Sequence, residues 1–170
     1  MTEMLDEKER RTVLGILAPY LHDPRVLRMK KYIQHGRITT YEHSLAVAFK
    51  CFEIVRDLRL RVDLHALLVA ALLHDFYLYD WHEKDASHKW HGYHHAERAR
   101  DNAARYFGVS DEVGGMIYSH MWPLNLTHTP KSKEAWVLTL ADKLCSAKET
   151  LFLRKTRKGK QDPPPEEPEP

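Results

Sequence analysis

Apolar residues recur along this chain at steps of three and four, and nowhere do they alternate with polar residues over a sustained run. That period is the helical one, since a half-buried strand would need a period of two. No Asn-Gly or Asp-Gly pair marks a tight hairpin, and only seven glycines are available for turns. The pattern predicts an all-α fold, a single-domain helical bundle, and the length of 170 residues suits one core.

The first stripe, Val13, Leu14, Leu17, Ala18 and Leu21, predicts a helix over about 7–21 that Pro19 kinks or ends early. Pro24 separates it from a short helix over roughly 25–34, closed near Gly36. Thr39-Thr-Tyr-Glu reads as a capping box that opens a helix running to about Arg59. Val47, Cys51, Ile54 and Leu58 lie in line with His43 there, and Phe49, Phe52 and Val55 widen the apolar sector, as a central helix would require.

Asp63 caps the next helix, where Leu64, Leu67, Leu68, Ala71 and Leu72 lead into His74 and Asp75. From Phe76 to Tyr93 no clean period exists, which reads as a long functional loop or a broken helix. A helix from His95 to Phe107 follows. Another, started by Ser110, carries Val113, Met116, Ile117 and His120 on one face. Ser132 caps the last helix, in which Ala135, Leu138, Asp142, Cys145 and Glu149 share a face. The organisation expected is N-terminal helices over 1–38 packed on a core over 39–153. A charged, Pro/Glu-rich tail over 154–170 has no large apolar residue past Leu153 to bury and is expected to be disordered.

Composition removes several classes. Twenty-six basic against 24 acidic residues leave a formal charge of +2, too balanced to argue for nucleic acid or an anionic membrane. The longest apolar run, Ala66 to Leu73, has eight residues, well short of the ~18 that span a bilayer. The first ten residues are too charged for a secretory signal. Cys51 and Cys145 stand 94 residues apart, which fits a reduced, cytoplasmic protein better than a disulfide framework. No G-x-S-x-G, G-x-x-x-x-G-K-[ST] or G-x-G-x-x-G segment is present, so serine acyl transfer, P-loop and Rossmann chemistry are not indicated.

The composition is unusual in its twelve histidines, seven of which lie between positions 65 and 95. They are interleaved with Asp, Tyr and Trp rather than run together as a tag would be. Ligand-type residues also finish apolar faces: His43, the pair His74-Asp75, His120 and Asp142, with His95 opening a further helix. Burying six ionisable groups without a cation costs several kcal/mol per unpaired charge. Imidazoles combined with carboxylates suit one or two divalent transition metals, Fe, Mn, Ni or Zn, better than Ca or Mg.

The spacing His43, His74-Asp75 after 31 residues, His95 after 21 more, His120 after 25 and Asp142 after 22 resembles the H…HD…H…H…D pattern of the HD-domain metal-dependent phosphohydrolase superfamily. The flanking words Tyr-Glu-His-Ser-Leu-Ala-Val-Ala, Ala-Leu-Leu-His-Asp and Leu-Ala-Asp-Lys agree, over about Thr39 to Thr150. The resemblance implies a metal held by His43, His74, Asp75 and Asp142, and a second completed by His95 and His120. His91 competes with His95 for that place and otherwise faces substrate. It implies hydrolysis of a phosphate ester by activated water, with Asp75 holding or bridging the metals.

Asp80 is the candidate general acid or base, and His91, Arg98 and Lys143 are the candidates to bind phosphate. Phe76, Tyr77, Tyr79, Trp81, Trp90 and Tyr93 are candidates to stack a base, which makes a nucleotide one expected substrate. Two departures stand out. Phe76-Tyr77-Leu78 replaces the Ile-Gly-Lys that follows the doublet in many phosphodiesterases, which argues against cyclic dinucleotide cleavage, and Met121 replaces the second residue of a His-His pair. His-Asp-Phe-Tyr-Leu-Tyr-Asp-Trp and His120-Met-Trp-Pro-Leu look like a bacterial subgroup of the superfamily that brings no substrate with it. The alternatives are a non-catalytic metal- or ligand-binding regulatory module and, from the basic cluster Arg154 to Lys160, a nucleic-acid binder.

Overall fold

The computed structural model describes residues 5–35, 37–78 and 91–158. Seven α-helices account for most of them: α1 (Glu7–Leu21), α2 (Pro24–Leu27), α3 (Thr40–Asp57), α4 (Leu64–Leu73), α5 (His91–Phe107), α6 (Asp111–Ser119) and α7 (Lys133–Lys158). The fold is all-α, interrupted by one small antiparallel hairpin, β1 (Ile33–His35) with β2 (Ile38–Thr39).

Side-chain caps set most helix starts. Asp6 and Glu9 form a reciprocal capping box on α1, as Thr39 and Glu42 do on α3. Asp63 accepts from the Ala66 amide to start α4, Ser110 from Val113 to start α6, and Ser132 from Ala135 at the head of α7. Pro19 sits inside α1 without ending it. Only two residues follow it, so its missing donor disturbs the last turn alone.

The central helix is α4 rather than α3. Ala66 through Leu73 are all buried, so α4 has no solvent face beyond its first turn, and it packs against α1, α3, α5, α6 and α7. The breadth of the apolar sector on α3 points to that helix as central, but α3 buries one face, Thr40, His43, Ser44, Val47, Ala48 and Cys51, while Phe49, Phe52, Ile54 and Val55 are only half-buried. An eight-residue run that reads as a stripe plus fillers is in fact apolar all round.

Two other differences from the expected elements bear on the site. The second helix stops at Leu27 and continues as a 3-10 turn over Arg28–Lys31, after which the chain forms the hairpin, with Ile33 opposite Thr39 and His35 opposite Ile38. The β-branched Ile33, Ile38 and Thr39 favour extended backbone, and strands of three and two residues are too short to show a period. At the other end, α7 continues through 154–158, five residues into the segment expected to be disordered. Arg and Lys are good helix formers, and cations at a helix C-terminus are favourable to its dipole.

Candidate metal centre

Each ligand-type residue arrives from a different part of the fold. His43 lies one turn into α3, His74 caps the C-terminus of α4 and is followed by Asp75, His95 is on α5, His120 caps the C-terminus of α6, and Asp142 is on the inner face of α7. All six are buried, Asp142 the most exposed at 5%. The structure therefore brings together the six positions picked out in the sequence.

The distances among them fall in a narrow band. Nε2 of His43 is 3.1 Å from Oδ1 of Asp142 and 3.9 Å from Oδ2 of Asp75. Nε2 of His74 is 3.4 Å from the same Asp75 oxygen and 3.7 Å from the same Asp142 oxygen. On the other side, Oδ1 of Asp75 is 3.3 Å from Nε2 of His95 and 3.8 Å from Nε2 of His120, and these two nitrogens are 3.1 Å apart. Atoms that ligate one ion at ~2.0–2.2 Å stand about 3 to 4 Å from one another. The ligand atoms of His43, His74 and Asp142 all lie within 4.8 Å of one another, and so do those of His74, Asp75 and His120. The two oxygens of Asp75 face the two sides.

Two buried atoms at the centre have no hydrogen-bond partner among the described residues: Nε2 of His74 and Oδ1 of Asp75. A buried orphan of this kind costs roughly 1–3 kcal/mol, and a cation between them removes that cost. The far nitrogens of the rings are held as metal-ligating imidazoles commonly are. Nδ1 of His74 donates to the Ala71 carbonyl at 2.8 Å and Nδ1 of His120 to the Ile117 carbonyl at 2.7 Å, leaving each Nε2 directed inward. Nδ1 of His43 faces both oxygens of Glu149 at 3.1 Å. The donor set fits a divalent transition metal.

Without an ion, protons balance the charge. Burial opposes charge on His43, but Asp142 and Glu149 outweigh it and push the ring up to about 9. Burial likewise opposes charge on His74, and the Asp75 and Asp142 carboxylates beside it push it up to about 10. Burial also works against ionising Asp75 and Asp142, yet His74 and His95 hold Asp75, and His43 and His74 hold Asp142, well below the usual carboxylate range. His120 goes the other way, down to about 3, through burial and the charges of His74 and His95.

The remaining sequence candidates divide. Nζ of Lys143 lies at the edge of the centre, 2.8 Å from Oδ2 of Asp142 and 3.3 Å from the His120 carbonyl. Arg98 is exposed on α5, three residues beyond His95. Asp80 lies outside the described residues, and so does the side chain of His91, whose backbone begins α5. Of the histidine-rich stretch, His65 and His94 are exposed and stand apart from the cluster. Two of the aromatics expected to stack a base do not serve that role: Phe76 and Tyr77 are buried, Phe76 packing on Tyr106 and Phe107.

Two participants are not among the sequence candidates. Glu149 is visible on the Asp142 face of α7, seven residues on, but nothing in the patterning gives it a role. Gln34, whose Nε2 donates to Oδ2 of Asp75 at 2.6 Å, belongs to the hairpin that the patterning does not reveal.

A family model described as HD domain matches residues 40–147, which spans every member of the cluster from His43 to Asp142. No curated protein and no solved structure matches the chain. No helix among the described residues is long and apolar enough to cross a membrane.

Proposed function

The chain belongs to the HD-domain superfamily of metal-dependent phosphohydrolases, and from that membership we propose that it hydrolyses a phosphate ester, using one or two divalent transition metals held by His43, His74, Asp75, His95, His120 and Asp142. The observation that carries the reading is the pair of ligand groups that share His74, with the orphaned buried atoms of His74 and Asp75. A divalent cation in such a donor set lowers the pKa of water toward neutrality and stabilises charge on phosphoryl oxygens.

The chain's own residues supply the rest. Asp75, with one oxygen toward each side of the cluster, is the carboxylate suited to bridge. Lys143 presents a cation beside Asp142 where phosphate charge would approach, and Arg98 and His91 on α5 are the other candidates to receive it. Asp80 is the proposed proton donor to the leaving group. With Phe76 and Tyr77 committed to the core, a nucleotide substrate rests on Tyr79, Trp81, Trp90 and Tyr93, so phosphomonoesters at large are the first substrates to try.

The test is a panel of phosphomonoesters, phosphodiesters and nucleotides assayed with Mn²⁺, wild type against Asp75→Ala, with folding followed by circular dichroism. Turnover that Asp75→Ala abolishes while the helical signal persists supports the hydrolase. Metal binding with no turnover across the panel favours the non-catalytic regulatory module.

A further inference from the structure

A hydrogen-bonded chain of side chains reaches the cluster from outside the span that the family model matches. Gln34 is on β1, and its side-chain amide is engaged at both ends. Nε2 donates to Oδ2 of Asp75 at 2.6 Å, and Oε1 accepts from the Tyr77 hydroxyl at 2.7 Å. The Tyr77 hydroxyl in turn lies 3.2 Å from Oγ1 of Thr40, which donates to the Tyr32 carbonyl at 3.2 Å. Tyr77 and Thr40 are buried and their contact lies in the protein interior, while Gln34 is half-buried.

The fixed ends settle which way the amide points. Because an ionised carboxylate only accepts, the NH₂ group faces Asp75 and Oε1 is left to accept from the tyrosine hydroxyl, and a carboxylate receiving a short bond on one oxygen is held in rotation about its Cβ–Cγ bond. That rotation decides whether Oδ2 faces His43 and His74 while Oδ1 faces His95 and His120, as the distances of 3.9, 3.4, 3.3 and 3.8 Å record. A freely turning Asp75 would serve one side of the cluster at a time.

We infer that Gln34 is a positioning residue, which with Tyr77 clamps Asp75 in the orientation that lets its two oxygens serve two cations. The inference rests on the metal reading of the cluster. It also gives the hairpin a reason to exist, because β1 supplies Asp75 with a hydrogen bond from a side chain that is not itself one of the metal-ligand candidates.

Gln34→Glu separates a positioning role from a merely space-filling one. Glu has nearly the same shape but no NH₂ group, and it sets a carboxylate against Oδ2 of Asp75. A role in volume alone is lost in Gln34→Ala and not in Gln34→Glu, while Tyr77→Phe, which adds no charge and keeps the Gln34 volume, separates the clamp from repulsion between the two carboxylates. The experiment titrates metal-free full-length wild type, Gln34→Glu, Gln34→Ala and Tyr77→Phe with Mn²⁺ alone by calorimetry, and checks folding by thermal melts.

The expected result is a ~10–100-fold loss of Mn²⁺ affinity at one site in Gln34→Glu and Gln34→Ala, the range usual for groups that orient a ligand, with a smaller loss in Tyr77→Phe. Wild-type affinity in a folded Gln34→Glu protein would overturn the clamp and leave the metal reading standing. Failure of the wild type itself to bind Mn²⁺ would overturn both. If Gln34→Glu does not fold, Tyr77→Phe decides, since it loosens the amide while leaving the donor in place, and unchanged affinity there counts against the clamp.

Discussion

Glu149 sets its carboxylate 3.1 Å from Nδ1 of His43, and the opposite nitrogen of the ring lies 3.1 Å from Asp142, about two turns earlier on the same helix. A histidine gripped this way has its tautomer and ring plane fixed by the outer carboxylate, and its inner nitrogen is the more basic for it. Replacing Glu149 with Ala leaves the His43 Nδ1 group buried without its partner. The expected outcome is a ~10–100-fold loss of divalent-metal affinity with about 1–3 kcal/mol of lost stability, measured by calorimetric titration and by denaturant unfolding. Unchanged metal affinity would remove Glu149 from the centre.

Protons and cation compete for the same nitrogens. His43 and His74 rise to about 9 and about 10 in the metal-free protein, so at pH 7 both carry protons that a metal must displace. Metal uptake at pH 7 is expected to release about two protons, and affinity to climb by up to on the order of 100-fold per pH unit below pH 9. Calorimetry in buffers of different ionisation enthalpy reads the proton count directly. A value near zero would mean that the rings are already neutral.

The metal-free protein should show a different pH dependence of stability. His43 and His74 have folded values above their ordinary 6.5, so their contribution is complete below pH 6.5 and is lost as the pH rises through about 9 and 10. His120, lowered to about 3, opposes acid: its contribution holds above 6.5 and falls away as the pH drops toward 3. Asp75 and Asp142, held below the ordinary 3.8, add a further loss at low pH. Thermal melts of metal-free protein should therefore peak near pH 6 to 7, and saturating metal should move the optimum upward. A metal-free melt that keeps rising to pH 9 would contradict this.

How much of the molecule is legible in the sequence follows from what each residue has to signal. His43, His74, Asp75, His120 and Asp142 each continue an apolar stripe toward the core, and a polar group in such a place needs a partner, so their convergence can be anticipated one helix at a time. The Thr39 and Glu42 box and the Asp63 cap are local and equally readable. Gln34 is not, because its role depends on a hairpin of three and two residues that offers no period, and because its partner is 41 positions away. Glu149 lies between these cases: its place on the inner face is visible, but nothing local distinguishes a glutamate that pairs with a buried histidine from one that borders solvent.

The two thiols probe the packing of the core in the metal-free protein. Cys51 is buried and its thiol is raised well above the ordinary 9.0, and Cys145 is pushed up to about 12 by burial and the nearby Glu149 and Asp142 charges. Since the thiolate is the reactive form, a disulfide reagent at pH 8 should find no fast thiol in the native protein and two after unfolding in guanidinium. One rapidly modified thiol in the folded protein would count against this packing.

The central position of α4 predicts where truncation hurts most. Leu68 and Leu72 are fully buried, with no solvent face for the cavity to open to. Leu68→Ala is expected to cost about 2–5 kcal/mol by urea unfolding, whereas Leu58→Ala, 63% exposed just past the end of α3, should change stability by less than about 0.5 kcal/mol.

Metal content per chain is the most direct test of the centre. Untagged protein should be analysed as purified and after Mn²⁺ reconstitution, as wild type, Asp75→Ala and His95→Ala. The expected values are about two ions per wild-type chain, about one in His95→Ala and still weaker loading in Asp75→Ala, whose carboxylate faces both sides of the cluster. Folded wild-type protein that holds no ion above background after reconstitution would contradict the metal centre, and the proposed hydrolysis would fall with it.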